Sequence, residues 1–230
     1  MKILGIETST PIGSVGLIDG DKLISEQALD ITRHHSARLM PVIDQTLKWG
    51  NLSIQEIDAV AVSVGPGSFT GVRIGVGTAK TICYAIQKPI VGVSTLAAIA
   101  YNLRHVESQI CVVLDARRDE VYGATFRGGG KWERQSDDLC LPIQDLLTRV
   151  TPPTIFSGSG LDRYADRIGD LLSSDQSNSI SFADLPFRIP RGINVAWLGL
   201  ERLVSSDMDD CFTIVPNYIR QGVSHPKEPS

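Results

Sequence analysis

Ala59-Val60-Ala61-Val62-Ser63-Val64-Gly65-Pro66-Gly67-Ser68-Phe69-Thr70-Gly71-Val72-Arg73-Ile74-Gly75 reads as a buried strand that enters a glycine-rich turn and leaves into a helix. The small and β-branched run Ala59–Val64 suits a strand covered on both faces, and the helical pattern continues to about Ile86. Pro89–Val93 is a further apolar strand, followed by a helix from Ser94 to about Leu103. Strands alternating with helices predict parallel pairing and an α/β class.

Upstream, Ile3–Thr8 and Ser14–Ile18 flank the turn-rich loop Ser9–Gly13 and predict a β-hairpin, with Lys22–Leu29 as a third strand. From His35 to Trp49 the period becomes helical: Leu39, Val42, Ile43, Thr46 and Leu47 line one face. Pro41 implies a helix start near Ser36 or a slight kink.

The glycine turn leaves two readings open. Free backbone N–H groups at a helix start form an anion seat; equally, the segment is a tight turn with Ser68 or Thr70 as an ordinary cap. No G-K-[ST] follows, so it is not a Walker loop. Gly71, Gly75, Ala79 and Cys83 then recur every four residues. Glycine inside a helix costs roughly 1 kcal/mol relative to alanine, so this stripe predicts a close backbone approach, by an internal helix or by a partner's.

A second unit repeats the plan of the first. Cys111–Leu114 is apolar, Asp115–Glu120 polar and Val121–Phe126 apolar again, so Asp115 takes the place of Glu7, 108 positions later (115 − 7). Thr154–Phe156, the turn Ser157–Gly160 and helices at Leu161–Leu172 and Asn194–Val204 follow, while Ser173–Ser181 reads as loop. The expected division is an N-terminal lobe over 1–105, a smaller C-terminal lobe over 106–222 and a flexible tail over 223–230.

Composition narrows the role. With 22 basic against 26 acidic side chains and a net charge of −4, the chain lacks the basic excess of a protein that grips nucleic acid by itself. Its four cysteines lie at least 28 positions apart (111 − 83), which fits reduced thiols in a cytoplasm rather than a disulfide scaffold or zinc site. The longest apolar uncharged stretch, Pro89–Leu103, falls short of the roughly 20 residues of a membrane span. The histidines are His34, His35, His105 and His225, with no H-x-x-x-H pair, and no nucleophile elbow is present.

The segments Leu4–Thr10, His35–Pro41, Gly65–Gly75, Leu114–Arg118 and Pro216–Arg220 together resemble the TsaB family, bacterial subunits of the machinery that makes threonylcarbamoyladenosine in tRNA. The resemblance runs almost end to end. It implies two duplicated actin-like ATPase (ribonuclease H-like) lobes, mixed sheets flanked by helices. It also implies a non-catalytic dimerisation subunit that pairs with the related catalytic transferase TsaD and is joined by the ATPase TsaE. Contact with tRNA would be indirect, through the complex, and a homodimer would form when the partner is absent.

The catalytic relative carries a metal-binding H-x-x-x-H where this chain has Thr95 and Ile99, and imidazole ligands cannot be replaced there by a hydroxyl and an alkyl group. Actin-like kinases hold phosphate on an acid-x-glycine turn, whereas Asp115 here is followed by Ala116 and Arg117. The implied site residues are therefore an interface of Leu39, Ile43, Leu47, Val72, Gly75, Val76, Ala79 and Cys83, with no catalytic residues and no metal. No cofactor is expected to be required. Glu7, Thr8, Ser9, Asp115, Gly158 and Gly160 are candidates for weak ATP or ADP binding. Two other readings stand beside this one: a stand-alone ATPase or phosphotransferase with Glu7 and Asp115 organising a metal, and a metalloprotease-like hydrolase, which lacks paired histidines.

Overall fold

Two antiparallel hairpins, each with an apolar first strand, seed two sheets. The computed structural model describes residues 1–30, 35–172 and 179–219. In the first sheet β1 (Lys2–Glu7) pairs antiparallel with β2 (Ile12–Asp19), which pairs antiparallel with β3 (Lys22–Asp30). On the other side β1 runs parallel to β4 (Ala59–Gly65), and β4 to β5 (Ile90–Ser94), giving the order β3-β2-β1-β4-β5. The second sheet repeats this: β6 (Gln109–Arg117) pairs antiparallel with β7 (Glu120–Arg127) and parallel with β10 (Thr154–Ser157), which is parallel to β11 (Ile180–Phe182). The short strands β8 (Glu133–Arg134) and β9 (Leu139–Pro142) both pair with β7. Glu7 ends β1, and Asp115 lies near the end of β6, the strand in the equivalent place.

Helices cover the sheets in layers. Helices α1 (His35–Trp49, with Pro41 inside it) and α2 (Phe69–Ile86) pack on the outer face of the first sheet, where Leu4, Ile6, Val60 and Val62 are fully buried. Helices α4 (Ile143–Leu147) and α5 (Leu161–Leu171) do the same for the second sheet, over Cys111, Val113 and Phe156. Between the sheets lies a shared core that joins Ile3, Ala61, Ile110, Val112 and Phe126 to α3 (Thr95–Ala100) and α6 (Gly192–Val204). Strands buried on both faces need the nearly unbroken apolar runs that the sequence shows.

Helix α6 crosses the expected division of the chain. It lies in the stretch assigned to the C-terminal lobe, yet it packs on β1, β2 and β4 of the first sheet. A Cβ on Gly5 would collide with Gly192 O, and one on Gly16 with Ile193 N, so only glycine lets these backbones approach. Glu26 on β3 fixes the helix start: it accepts from Arg191, from Ile193 N at 3.4 Å and from Ser14 Oγ at 3.2 Å. Two further expectations differ. Residues 180–182 form β11, not the end of a loop, and β8, β9 and α4 were too short to show a period. The tail over 223–230 and most of the 173–181 loop lie outside the described residues.

Candidate functional site

The Gly65–Thr70 turn is clamped onto the β1–β2 loop. Ser68 N donates to Ser9 O at 2.7 Å, and a Cβ on Gly67 would run into the same carbonyl. Ser68 also caps α2, its Oγ accepting from Gly71 N at 3.2 Å. Two of the N–H groups that an anion seat would offer are thus already used inside the chain. The tight turn with an ordinary cap is the reading this geometry favours.

The small-residue stripe of α2 also faces inward. A Cβ on Gly71 would meet Thr8 O, and one on Gly75 would meet Thr8 Oγ1, while Thr8 Oγ1 itself donates to Gly71 O at 2.8 Å. The close approach foreseen from the stripe is made by the end of the first hairpin, not by another helix. All eight residues assigned to a partner interface are buried within this chain: Val72, Gly75, Val76, Ala79 and Cys83 on α2, and Leu39, Ile43 and Leu47 on α1. Their apolar period marks the side that meets the sheet.

What α1 and α2 present outward is a different set. Between them and the turn at Ile54–Glu56 runs an apolar groove of about 650 Å³, lined by Met40, Ile54, Ile74, Thr81, Ala85 and Ile86 together with Gly77. Met40 keeps 51% of its surface exposed. Among the described residues, and beyond the helix's own adjoining backbone, no atom comes within 4 Å of where a Cβ on Gly77 would lie. The signal for this face was in the sequence, since Gly77 falls off the every-fourth-residue stripe and on the opposite side of the helix.

The other flank of α2 is covered by the segment 207–219. Asp209 bridges to Ile90 on the edge of β5, and its carboxylate accepts from Gly92 N at 2.8 Å and from Arg202 at 3.0 Å. Lys80 donates to Phe212 O and Ile214 O, and Asn217 N donates to Val64 O at 2.7 Å. At its end Tyr218 packs against Phe69, with ring centroids 5.4 Å apart and the ring planes tilted by 38°.

The two acids stand in unlike surroundings. Glu7 is fully buried; it accepts from Ser9 N and Ser9 Oγ at 2.5 Å each, and from Ser63 Oγ. Burial pushes its carboxyl above the ordinary value, against the lowering effect of the Ser63 and Ser9 donors. Asp115 is exposed and lies 3.3 Å from Arg163, which also binds Asp119 at 2.7 Å. Among the six nucleotide candidates only Ser9 and Asp115 line the cleft of about 620 Å³ between the hairpins, beside Thr10, Ser68, Arg117 and Ser159. Glu7 and Thr8 lie behind it in the core, and Gly158 and Gly160 press against Val113.

Thr95 and Ile99 are both fully buried, and Thr95 Oγ1 has no hydrogen-bond partner among the described residues. No group of three or more His, Cys, Asp or Glu side chains suited to a metal occurs among those residues. None of their helices is long and apolar enough to cross a membrane.

Comparison with known proteins places this geometry. The family model described as TsaD, tRNA N6-adenosine threonylcarbamoyltransferase, matches residues 23–188. The chain is 32% identical over 224 residues to the tRNA threonylcarbamoyladenosine biosynthesis protein TsaB of Bacillus subtilis, covering 96% of this chain and 94% of that protein. It is 30% identical over 173 residues to the protein of the same name from Escherichia coli, covering 72% and 74%. The solved structure of YeaZ from Pseudomonas aeruginosa superposes with a TM-score of 0.80 at 25% identity, over 94% of this chain and 99% of that one. The duplicated actin-like fold expected from the sequence stands.

Proposed function

Since the chain belongs to the TsaB family, within the wider family that the TsaD model describes, we propose that it is a non-catalytic subunit for making threonylcarbamoyladenosine beside the anticodon of tRNA. Its partner is the related catalytic transferase TsaD, seated on the outward face of α1 and α2, and the ATPase TsaE joins the pair. A second copy takes that face when the catalytic subunit is absent.

One observation carries the docking face. Gly77 sits in the interior of an 18-residue helix with open space around it, so its cost of roughly 1 kcal/mol has no compensation inside the chain. Gly71 and Gly75 have theirs in Thr8. A backbone laid close against Gly77 would supply the missing gain and cover the apolar groove beside it. The match of residues 23–188 to the transferase family supports equivalent helices in the partner, and so a nearly two-fold packing of like on like.

The non-catalytic reading is supported by Glu7 being walled off from the inter-lobe cleft and Asp115 being tied to Arg163. A metal shared by these two acids, as a stand-alone ATPase needs, finds no support in that arrangement. The cleft leaves weak ATP or ADP binding as a side property, and no cofactor is required of this chain. The acidic balance and four free cysteines fit a cytoplasmic protein that meets tRNA through its partner.

Co-expression with the TsaD protein of the same source, followed by size exclusion and a tRNA modification assay, tests this. A heterodimer that supports modification, lost on Gly77→Arg with the monomer still folded, is expected. A heterodimer unchanged by Gly77→Arg and Ala85→Arg would overturn the docking face. Full modification without this chain would overturn the subunit role.

A further inference from the structure

The segment 207–219 is a strap, tied to the body of the chain by polar contacts while its large side chains turn outward. Asp209 N donates to Ile90 O at 3.0 Å, and Asn217 N donates to Val64 O at 2.7 Å. Between these ties Ile214 is buried beside Gly92, whereas Met208, Phe212 and Val215 keep 56%, 70% and 65% of their surfaces exposed. The Phe212 backbone is fixed on both sides. Its N donates to Asp210 Oδ1 at 2.7 Å, and its O accepts from Lys80 Nζ at 3.0 Å. The Phe212 ring meets Tyr84 of α2 edge-on, with centroids 5.7 Å apart. An exposed aromatic on a backbone already fixed loses little freedom when another molecule covers it.

This apolar patch continues the face that carries Gly77. Gly77 and Tyr84 are both exposed and, seven residues apart, lie on one side of α2. A body laid along Gly77 therefore reaches Tyr84 and, through it, Phe212. The groove beside Gly77 is lined by ten residues, whereas a specific interface takes roughly 20–30 on each side. The groove is too small to hold a partner by itself, and the strap is apolar surface adjoining it. Residues 220–230 do not make a cover of matching chemistry, since Val223 is their only aliphatic side chain.

We propose that the partner seated over Gly77 also covers Tyr84, Phe212 and Val215, with the Phe212 ring entering an apolar pocket of that partner as an anchor. The occupant is the related catalytic subunit, and the inference rests on the docking face assigned to that subunit above.

Titration calorimetry of the full chain with the TsaD protein of the same source tests the strap. Phe212→Ser raises Kd by about 10-fold or more, the scale of a truncated interface anchor. Val215→Ser raises it too and leaves the Tyr84–Phe212 pair in place. Leu185→Ser, at a position 69% exposed near β11 of the second sheet, leaves Kd unchanged. Urea midpoints of all three variants stay with the parent's, as for exposed positions; where Phe212→Ser lowers the midpoint, Val215→Ser decides. If Gly77→Arg abolishes the heterodimer while both strap variants leave Kd unchanged, the strap assignment falls and the docking face stands. If Gly77→Arg and Ala85→Arg are silent as well, both fall. Equal weakening by Leu185→Ser, or weakening confined to the homodimer, also overturns the strap assignment.

Discussion

Gly75 on α2 lies so close to Thr8 that any Cβ at position 75 would collide with Thr8 Oγ1, the atom that donates to Gly71 O one turn earlier. The helix is thereby seated on the end of the first hairpin by a hydroxyl, in a space that only glycine leaves free.

Replacing Gly75 by alanine should therefore cost stability, about 1–3 kcal/mol as for other overpacked sites. Urea unfolding measures it. Adding Thr8→Ala removes the colliding hydroxyl and should recover part of the loss, a non-additivity expected of residues in contact. A Gly75→Ala chain of unchanged stability with impaired partner binding would restore the outward reading of this stripe.

Gly77 predicts the reverse. With nothing near its Cβ position, Gly77→Ala should stabilise the isolated monomer by roughly 0.5–1 kcal/mol through helix propensity. The same methyl should weaken association with the catalytic subunit, seen as earlier dissociation on dilution. If stability falls, or if association is untouched, Gly77 does not mark the docking surface.

Glu7 gives a pH dependence with a definite sign. Its carboxyl is raised in the folded chain above the ordinary value of 4.5, so the native state holds its proton more tightly than the unfolded state does. Stability from this group is then greatest below pH 4.5 and declines as pH rises through the folded value. Glu7→Gln keeps an acceptor for Ser9 and a polar partner for Ser63 while removing the titration. Its melting temperature should exceed the parent's by a margin that grows from pH 4 to pH 8, at roughly 2–4 °C per kcal/mol. A margin independent of pH would contradict this account.

Glu26 joins β3 to the start of α6 through Arg191, Ser14 and Ile193, and its side chain is only 12% exposed. Glu26→Ala strands those donors and should lower stability by about 1–3 kcal/mol. The urea midpoint should fall at constant slope, because the unfolded surface is unchanged. An unaltered midpoint would mean that solvent satisfies the donors as well as Glu26 does.

Much of this was legible from local pattern. The strands Ile3–Thr8, Ala59–Val64 and Pro89–Val93 and the helix at His35–Trp49 were visible because burial on one or both faces imposes a period on the chain itself. The correspondence of Glu7 with Asp115 was visible for the same reason. Strands of two to four residues such as β8 and β9 are held by pairing with β7, so no local period reveals them.

The order of the longer elements and the presence of a helix with too many glycines were legible in the amino-acid sequence alone, as was the repeated plan of the two hairpins. Which surface each glycine serves was settled only by tertiary structure. Spacing states that a backbone must come close, but not whose. Thr8 stands 67 positions before Gly75 (75 − 8), and Tyr218 stands 149 positions after Phe69 (218 − 69). Contacts over such separations arise from how sheets and helices stack, and no window of the chain contains both partners. The stacking turned the stripe at Gly71 and Gly75 inward and left Gly77 alone facing out.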